Sequence, residues 1–403
     1  MYVVPPAEPD PADALDTRAV HAGREDLKDL GAHVPPIDLS STYPVPDVQA
    51  GGAAYDALAS GGRPQPGQTL VYQRIWNPTV ARFEEALASL ERAEEAVAFA
   101  SGMAALSATL LATVAAGKPH VVAVRPLYGG SDHLLTTGLL GTRVTWVRPD
   151  DVAGAIEPDT GLVVVESPGN PTLDLVDLRA LAEAAGDVPL LVDNTFATPV
   201  LQQPLLLGAR IVLHSATKFL GGHGDLLAGV VATDSEWATR IRAVRGVTGG
   251  ILHPQAAYTA HRGLQTLPVR VRAQQDNAQV VAAWLARHPL VRRVYYPGLA
   301  ECDPLGLVGI QQAGPGSVLA FEMGTGEQAA AVAESCGMIT HAVSLGGVDT
   351  LIQLPAALTH RPVTIGARPA PGVLRLSVGL EDPADIVADL ERAISRAADS
   401  RAG

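Results

Sequence analysis

Only two cysteines, Cys302 and Cys336, occur in the 403 residues, so neither a disulfide framework nor a cysteine-built metal cluster is expected. No run reaches the roughly 18 apolar residues of a membrane-spanning helix, although 47% of the chain is hydrophobic. The opening Met1-Tyr2-Val3-Val4-Pro5-Pro6 has neither a basic n-region nor an apolar h-region, which argues against secretion and for the cytoplasm. Positive charge is scarce too. A formal net charge of −13 disfavours a nucleic-acid partner, because a phosphate backbone needs a basic face. What remains is a globular chain long enough for two or three domains of roughly 100–200 residues each.

Residues 1–70 are rich in Pro, Gly and Asp, with Gly51-Gly52 and Gly61-Gly62-Arg63-Pro64-Gln65-Pro66-Gly67, and read as an irregular arm lying on another surface. A helical pattern starts at Val80, with Phe83, Leu87 and Leu90 inward and Glu84, Glu85, Glu91 and Arg92 outward. Strands are expected at 96–99, 121–124, 144–147, 162–165, 190–192 and 211–213. Their alternation with helical stretches predicts a mostly parallel sheet covered by helices on both faces. Beyond Leu267 a long polar helix, about 273–287, precedes short strands at 317–321 and 374–377, which together read as a separate α+β domain. The domain division is therefore 1–70, 71–267 and 268–403.

Lys218 is the residue that speaks most directly of chemistry. It closes the apolar run Ile211-Val212-Leu213-His214 through Ser215-Ala216-Thr217 and runs into Gly221-Gly222. Burial favours a neutral amine, and a neutral amine attacks carbonyls, so Lys218 reads as a Schiff-base lysine; a lysine snorkelling from a strand end is the plainer alternative. Upstream, the apolar run Leu190-Leu191-Val192 ends in Asp193-Asn194-Thr195. A carboxylate at one strand end with a lysine at the next suits pyridoxal phosphate, whose ring nitrogen must stay protonated, although Asp-Asn-Thr is also good capping sequence. Phe99-Ala100-Ser101-Gly102-Met103 leads from a strand into an Ala-rich helix whose free amides face a potential phosphate, unless Ser101 is merely a cap. Ser215 and Thr217 add hydroxyls. Tyr72 and Arg74 offer a further anion contact or form a solvated loop pair.

These segments, together with Asn77-Pro78-Thr79, Tyr128-Gly129-Gly130, Glu166-Ser167-Pro168-Gly169-Asn170-Pro171, Ser344-Leu345-Gly346-Gly347 and Leu374-Arg375-Leu376-Ser377, resemble the Cys/Met-metabolism family of pyridoxal-phosphate enzymes. The resemblance runs from about Thr17 onward. It implies a fold type I, transferase-like architecture with an extended N-terminal arm and a smaller C-terminal domain. Lys218 would carry pyridoxal 5'-phosphate and shuttle protons, Asp193 would pair with the ring nitrogen, and Tyr128 would stack on the ring and serve the leaving group. Gly102, Met103, Ser215 and Thr217 would hold the phosphate, joined by Tyr72 and Arg74 of a neighbouring subunit, in a homodimer or a dimer of dimers. Asn170 would lie near the ring hydroxyl, and Ser344 and Arg375 would bind the substrate carboxylate. A structural ion pair for Arg375 and a core position for Tyr128 are the plain alternatives.

Four positions depart from the family's patterns. Val343 stands where cystathionine-handling members carry Glu, Gly130 where methionine γ-lyases carry Cys, Trp76 where a glycine is usual and Leu354 where a histidine is common. The bulky Trp76 and Leu354 are expected to reshape the pocket or its partner wall, and loss of the Glu at 343 favours an uncharged substrate tail. The expected reaction is γ-elimination on methionine or a near relative. Cystathionine γ-lyase and γ-replacement chemistry are the alternatives within the family, and a cofactor-binding protein without turnover is the alternative outside it.

Overall fold

All six apolar runs of the first half fall on strands of one sheet in the computed structural model, which describes residues 13–399. The opening segment Met1–Pro6 and the rest of 1–12 lie outside the described residues. The strands are β1 (Glu95–Phe99), β2 (His120–Val124), β3 (Arg143–Val147), β4 (Thr160–Glu166), β5 (Leu190–Asp193), β6 (Ile211–His214) and β7 (Gly229–Thr233), in the order β1-β7-β6-β5-β4-β2-β3. From β6 through β5, β4 and β2 to β3 every pair is parallel, and β7 runs antiparallel to both its neighbours. The parallel strands are apolar without alternation because helices cover both faces. Sequence reading missed β7.

A second sheet holds β8 (Arg293–Tyr295), β9 (Val318–Glu322), β10 (Thr340–His341), β11 (Leu351–Gln353) and β12 (Val373–Ser377), ordered β10-β11-β12-β9-β8. It has a core of its own, to which the helix Pro383–Asp399 contributes Ile386, Leu390 and Ile394. The long helix between the sheets spans Leu267–Leu285, earlier by about two turns than its polar stretch suggests.

Two expectations need correction. The first concerns the arm, which is not irregular throughout: it contains α1 (Leu15–His21) and α2 (Val48–Ala59), the latter capped by Asp47, whose carboxylate accepts from the Ala50 amide at 2.8 Å. Ala19 and Ala22 join the core of the large sheet, and Asp26 pairs with the buried Arg82. The second concerns α3 (Pro78–Glu91), whose acidic face points inward, not to solvent. Glu84 meets Arg245 at 2.6 Å, Glu85 meets Arg63, and Glu91 meets His214 at 2.5 Å. The pattern misled because α3 is wrapped on all sides, so its polar stripe finds partners instead of water; Arg92, just beyond it, is exposed as expected.

Trp76 does not line a pocket within the chain either. It packs with Tyr43, Leu70 and Ala81, under the guanidiniums of Arg63 and Arg242 at 5.5 and 5.4 Å from its ring centre. Leu354 is buried in the core of the second sheet.

Gly229 is required by close approach. It opens β7 opposite Phe99, and a Cβ there would lie 2.1 Å from the Ser101 carbonyl oxygen. Gly229→Ala therefore pushes the turn after β1 and lowers stability by about 1–3 kcal/mol, seen as an earlier urea midpoint.

Candidate active site

Parallel strands end at the same edge of a sheet, and β4, β5 and β6 deliver Glu166, Asp193 and the Ser215–Lys218 loop side by side. Lys218 Nζ donates to Ser344 Oγ at 2.7 Å, across from one sheet to the other. Ser344 sits at φ +98, a conformation that L side chains rarely adopt, and its carbonyl accepts from Arg375 Nη2 at 2.7 Å. One strained residue thus touches both cations. Arg375 Nη1 donates to Asn170 Oδ1 at 3.1 Å, and Gln353, its cross-strand partner, accepts from Nη2 at 2.7 Å in the amide orientation its neighbours require. Phe196 lies under the guanidinium at 5.8 Å.

Among the described residues Arg375 forms no salt bridge, so the structural ion pair is not what the chain builds; its hydrogen-bond acceptors are neutral. Burial lowers its pKa to about 10, with Glu166 acting in the opposite sense. Lys218 is lowered to about 8, first by burial and then by the Arg375 charge. Ser344 thus joins a buried guanidinium whose acceptors are neutral to an amine whose pKa is lowered to about 8.

Beneath lie two buried carboxyls. Burial and then the neighbouring Asp193 push Glu166 well above the ordinary carboxyl range. Burial raises Asp193 as well, opposed by the Thr195 hydroxyl at 2.5 Å, the Thr195 amide at 3.0 Å and the charge of His214. Glu166 Oε2 also accepts from the Tyr128 amide at 2.6 Å, which fixes the N-terminus of α5 (Gly129–Thr137).

The turn after β1 leads into α4 (Gly102–Ala115), where Ser101 Oγ accepts from the Ala104 amide at 3.1 Å. Gly102 presses so closely on the lysine loop that a Cβ would stand 3.1 Å from Ser215 Cβ. Helix amides, Gly102, Met103 and the Ser215 hydroxyl thus converge, which is the donor set a phosphate needs. Thr217 is differently engaged: its hydroxyl accepts from the Ala228 amide at 3.0 Å and donates to the Ala228 carbonyl at 3.1 Å, bracing the loop. Tyr128 is 40% exposed, and both its ring and the Met103 sulfur border Gly130, where a Cβ would lie 2.6 Å from Tyr128 Cε1.

Tyr72 and Arg74 are not brought to this group. Arg74 stacks on the Tyr72 ring at 5.6 Å and donates to the Gly246 carbonyl, and Tyr72 is 43% exposed. Sequence reasoning missed Gln353 and the role of Glu166; the second stood in a quoted motif, at the end of an apolar strand run, where a buried carboxyl was legible. Both cysteines are free, and burial, then Asp389, pushes the Cys336 thiol up to about 12, so it is no nucleophile at neutral pH.

Residues 16–395 match the family described as Cys/Met metabolism PLP-dependent enzymes. The chain belongs to that family. It is 59% identical over 386 residues to an L-methionine gamma-lyase of Brevibacterium aurantiacum, covering 95% of each chain, and 58% identical to one of Streptomyces avermitilis, covering 94% and 89%. Among solved structures it resembles a cystathionine gamma synthase of Xanthomonas oryzae pv. oryzae (TM-score 0.86, 36% identity, 96% and 99% covered). It also resembles a methionine gamma lyase of Micromonospora echinospora (TM-score 0.82, 38% identity, 95% and 99% covered). Pyridoxal 5'-phosphate is the family's cofactor, and the residues present fit it: an amine with a lowered pKa, a carboxylate one strand away, and a phosphate cradle that a Cβ at Gly102 would crowd.

Two outcomes follow from this geometry. Between about pH 8 and the lysine's ordinary 10.5 the unfolded chain holds a proton that native Lys218 has released, so apoprotein stability rises with pH across that window. The rise is at most about 3 kcal/mol, is absent below pH 8, and disappears in Lys218→Met when urea midpoints are compared across pH. Gly130→Ala crowds only the half-exposed Tyr128 ring and the Met103 sulfur, so the ring turns aside and the unfolding midpoint stays near that of the parent in urea.

Proposed function

We propose that the chain is an L-methionine γ-lyase: L-methionine and water give 2-oxobutanoate, ammonia and methanethiol. The observation that carries this reading is the 59% identity to an L-methionine gamma-lyase over 95% of both chains, joined to a buried guanidinium whose partners are neutral. Bound pyridoxal 5'-phosphate supplies an electron sink that makes the protons at Cα and Cβ acidic. Arg375, set by Gln353, Asn170 and the Ser344 carbonyl, holds the substrate carboxylate and fixes which bond at Cα meets Lys218. Lys218 would hold the cofactor, and its amine, with its lowered pKa, would take the Cα proton and later return it. Tyr128 delivers a proton to sulfur as the bond from Cγ to sulfur breaks. Asp193 would keep the ring nitrogen protonated, Gly102, Met103 and Ser215 would take the phosphate, with Thr217 supporting that loop, and Asn170 would serve the ring hydroxyl.

Val343 supports a neutral tail. It is 52% exposed beside Ser344, and an apolar side chain there has nothing to offer a second ammonium group. Elimination from cystathionine and γ-replacement on an acylated homoserine are the competing activities.

The same reading divides the chain into an arm (1–70), a large cofactor-binding domain (71–267) and a C-terminal domain (268–403), and assembles it as a homo-oligomer, a dimer of dimers. Two features support assembly: Tyr72 and Arg74 have no part in their own chain's site, and Val34, Ile37 and Leu39 of the arm are exposed at 55%, 40% and 61%. No helix among the described residues is long and apolar enough to cross a membrane. The two free thiols fit a reducing cytoplasm. The acidic balance leaves no nucleic-acid partner in this reading.

Purified holoenzyme given L-methionine is expected to release 2-oxobutanoate and methanethiol; faster turnover of cystathionine, or of an acylated homoserine with sulfide, would overturn the assignment. Lys218→Ala loses about 10³-fold or more in kcat, and Arg375→Lys raises KM by about 10- to 100-fold. An Arg74→Ala chain and a Lys218→Ala chain, each weak alone, regain activity when dissociated and mixed, because a hybrid dimer carries one intact site. No recovery on mixing would sink the shared-site assembly.

A further inference from the structure

A buried polar chain that no step of the reaction touches lies behind the strand ends. Glu91, the last residue of α3, is fully buried, and its Oε1 accepts from His214 Nε2 at 2.5 Å and from Asn194 Nδ2 at 3.1 Å. Asn194 Oδ1 accepts from Gln202 Nε2 at 3.0 Å, and its Nδ2 also donates to the Gln202 carbonyl at 2.9 Å. Gln202 Nε2 reaches on to the Ser167 carbonyl at 2.8 Å. Ser167 and Asn194 are the first residues past β4 and β5, and His214 is the last of β6.

The chain therefore ties together the three strand ends that deliver Glu166, Asp193 and Lys218, at the point where the backbone ladder stops holding them in register. Such a chain is an expensive way to hold a sheet. Glu91, Asn194, Gln202 and His214 are all at most 1% exposed, and buried polar groups cost stability unless every one is paired. Here Glu91 Oε2 and His214 Nδ1 have no hydrogen-bond partner among the described residues. An apolar cluster would stabilise the fold at least as well, so the arrangement points to placement rather than stability. Against the burial that raises it, the Thr195 bonds and His214 pull the Asp193 carboxyl back toward its ionised form.

We propose that Glu91 is a positioning residue of the active site: acting through His214, Asn194 and Gln202, it sets the relative height of three strand ends and so the aim of Asp193 at the cofactor ring. This rests on the role given to Asp193 above.

The test compares Glu91→Gln, His214→Asn and their double variant with the parent, each as apoprotein and as holoenzyme. The affinity of the apoprotein for pyridoxal 5'-phosphate is expected to fall by about 10-fold, the size of one lost buried hydrogen bond, and the visible band of the bound cofactor to titrate at a shifted pH. kcat falls more than KM rises, apoprotein unfolding stays close to the parent's, and the double variant is no worse than the weaker single, as for two members of one unit. Unchanged cofactor affinity, band and kcat would overturn the proposal, as would a lower unfolding midpoint with cofactor affinity intact. If Glu91→Gln does not fold, Gln202→Leu cuts the arm to Ser167 and is judged by the same readings. Asp193→Asn runs in parallel. If it binds the cofactor and turns over like the parent, the reading of Asp193 falls and this proposal with it; if it fails while Glu91→Gln is normal, only the proposal falls.

Discussion

Two cations share one serine, and the rest of the site is arranged around that fact. Lys218 and Arg375 come from different sheets and meet at Ser344, the first through the hydroxyl at 2.7 Å and the second through the carbonyl at 2.7 Å. Placing two positive groups together out of water is unfavourable, and both respond in the direction that lessens the cost, toward neutrality. For the lysine that response is chemistry, because only the free amine attacks an aldehyde or accepts a proton from carbon. For the arginine, which stays charged, the remedy must come from outside the protein. In the proposed function a substrate carboxylate completes the set, and the φ of +98 at Ser344 is the strain the backbone carries where both donors meet.

The carboxyls beneath are the counterpart. Glu166 and Asp193 stand in register on adjacent parallel strands, and burial makes two negative charges there costly. Thr195 and His214 favour the ionised form at Asp193, whereas Glu166, despite the Tyr128 and Asn170 amides and the Arg375 charge, takes the larger push upward. Both carboxyls are raised by burial, Glu166 the further of the two, and the partners of Asp193 favour its charged form. Asp193 stands on the strand next to that of the lysine, which is what the proposed pairing with a cationic ring nitrogen requires.

Much of this could be read from the chain. The strand runs, the lysine and aspartate that end two of them, and the glycine turn before α4 each follow from short-range pattern, and the structure brings Lys218, Ser344 and Arg375 together across 31 and 126 residues of sequence. An available signal went unused: the sequence has three lysines, and Lys28 and Lys118 are exposed, so Lys218 stands apart by scarcity alone. What was not legible depended on tertiary surroundings. The acidic stripe of α3 has the spacing of a solvated face, and nothing local reveals that Arg245, Arg63 and His214 wait opposite it. The helix α2 was hidden by glycine and alanine, whose weak patterning gives periodicity little to grip, whereas β7 stood in a legible apolar run, Val230-Val231-Ala232. Within the chain Trp76 and Leu354 belong to packed clusters, Leu354 directly after Gln353.

The choice among sulfur amino acids comes back to charge. In the proposed function every member of the substrate class brings the same α-carboxylate to Arg375, so discrimination needs a group that meets the far end of the molecule. Next to Ser344 that group is Val343, half exposed and apolar. A second ammonium in the substrate would enter a pocket already holding the Arg375 charge, and Val343 gives it no compensating partner. A thioether asks for none, and its transfer from water to an apolar wall is favourable. In the proposed function the residue beside the serine therefore favours methionine by what it fails to provide for a longer substrate with a second charged end.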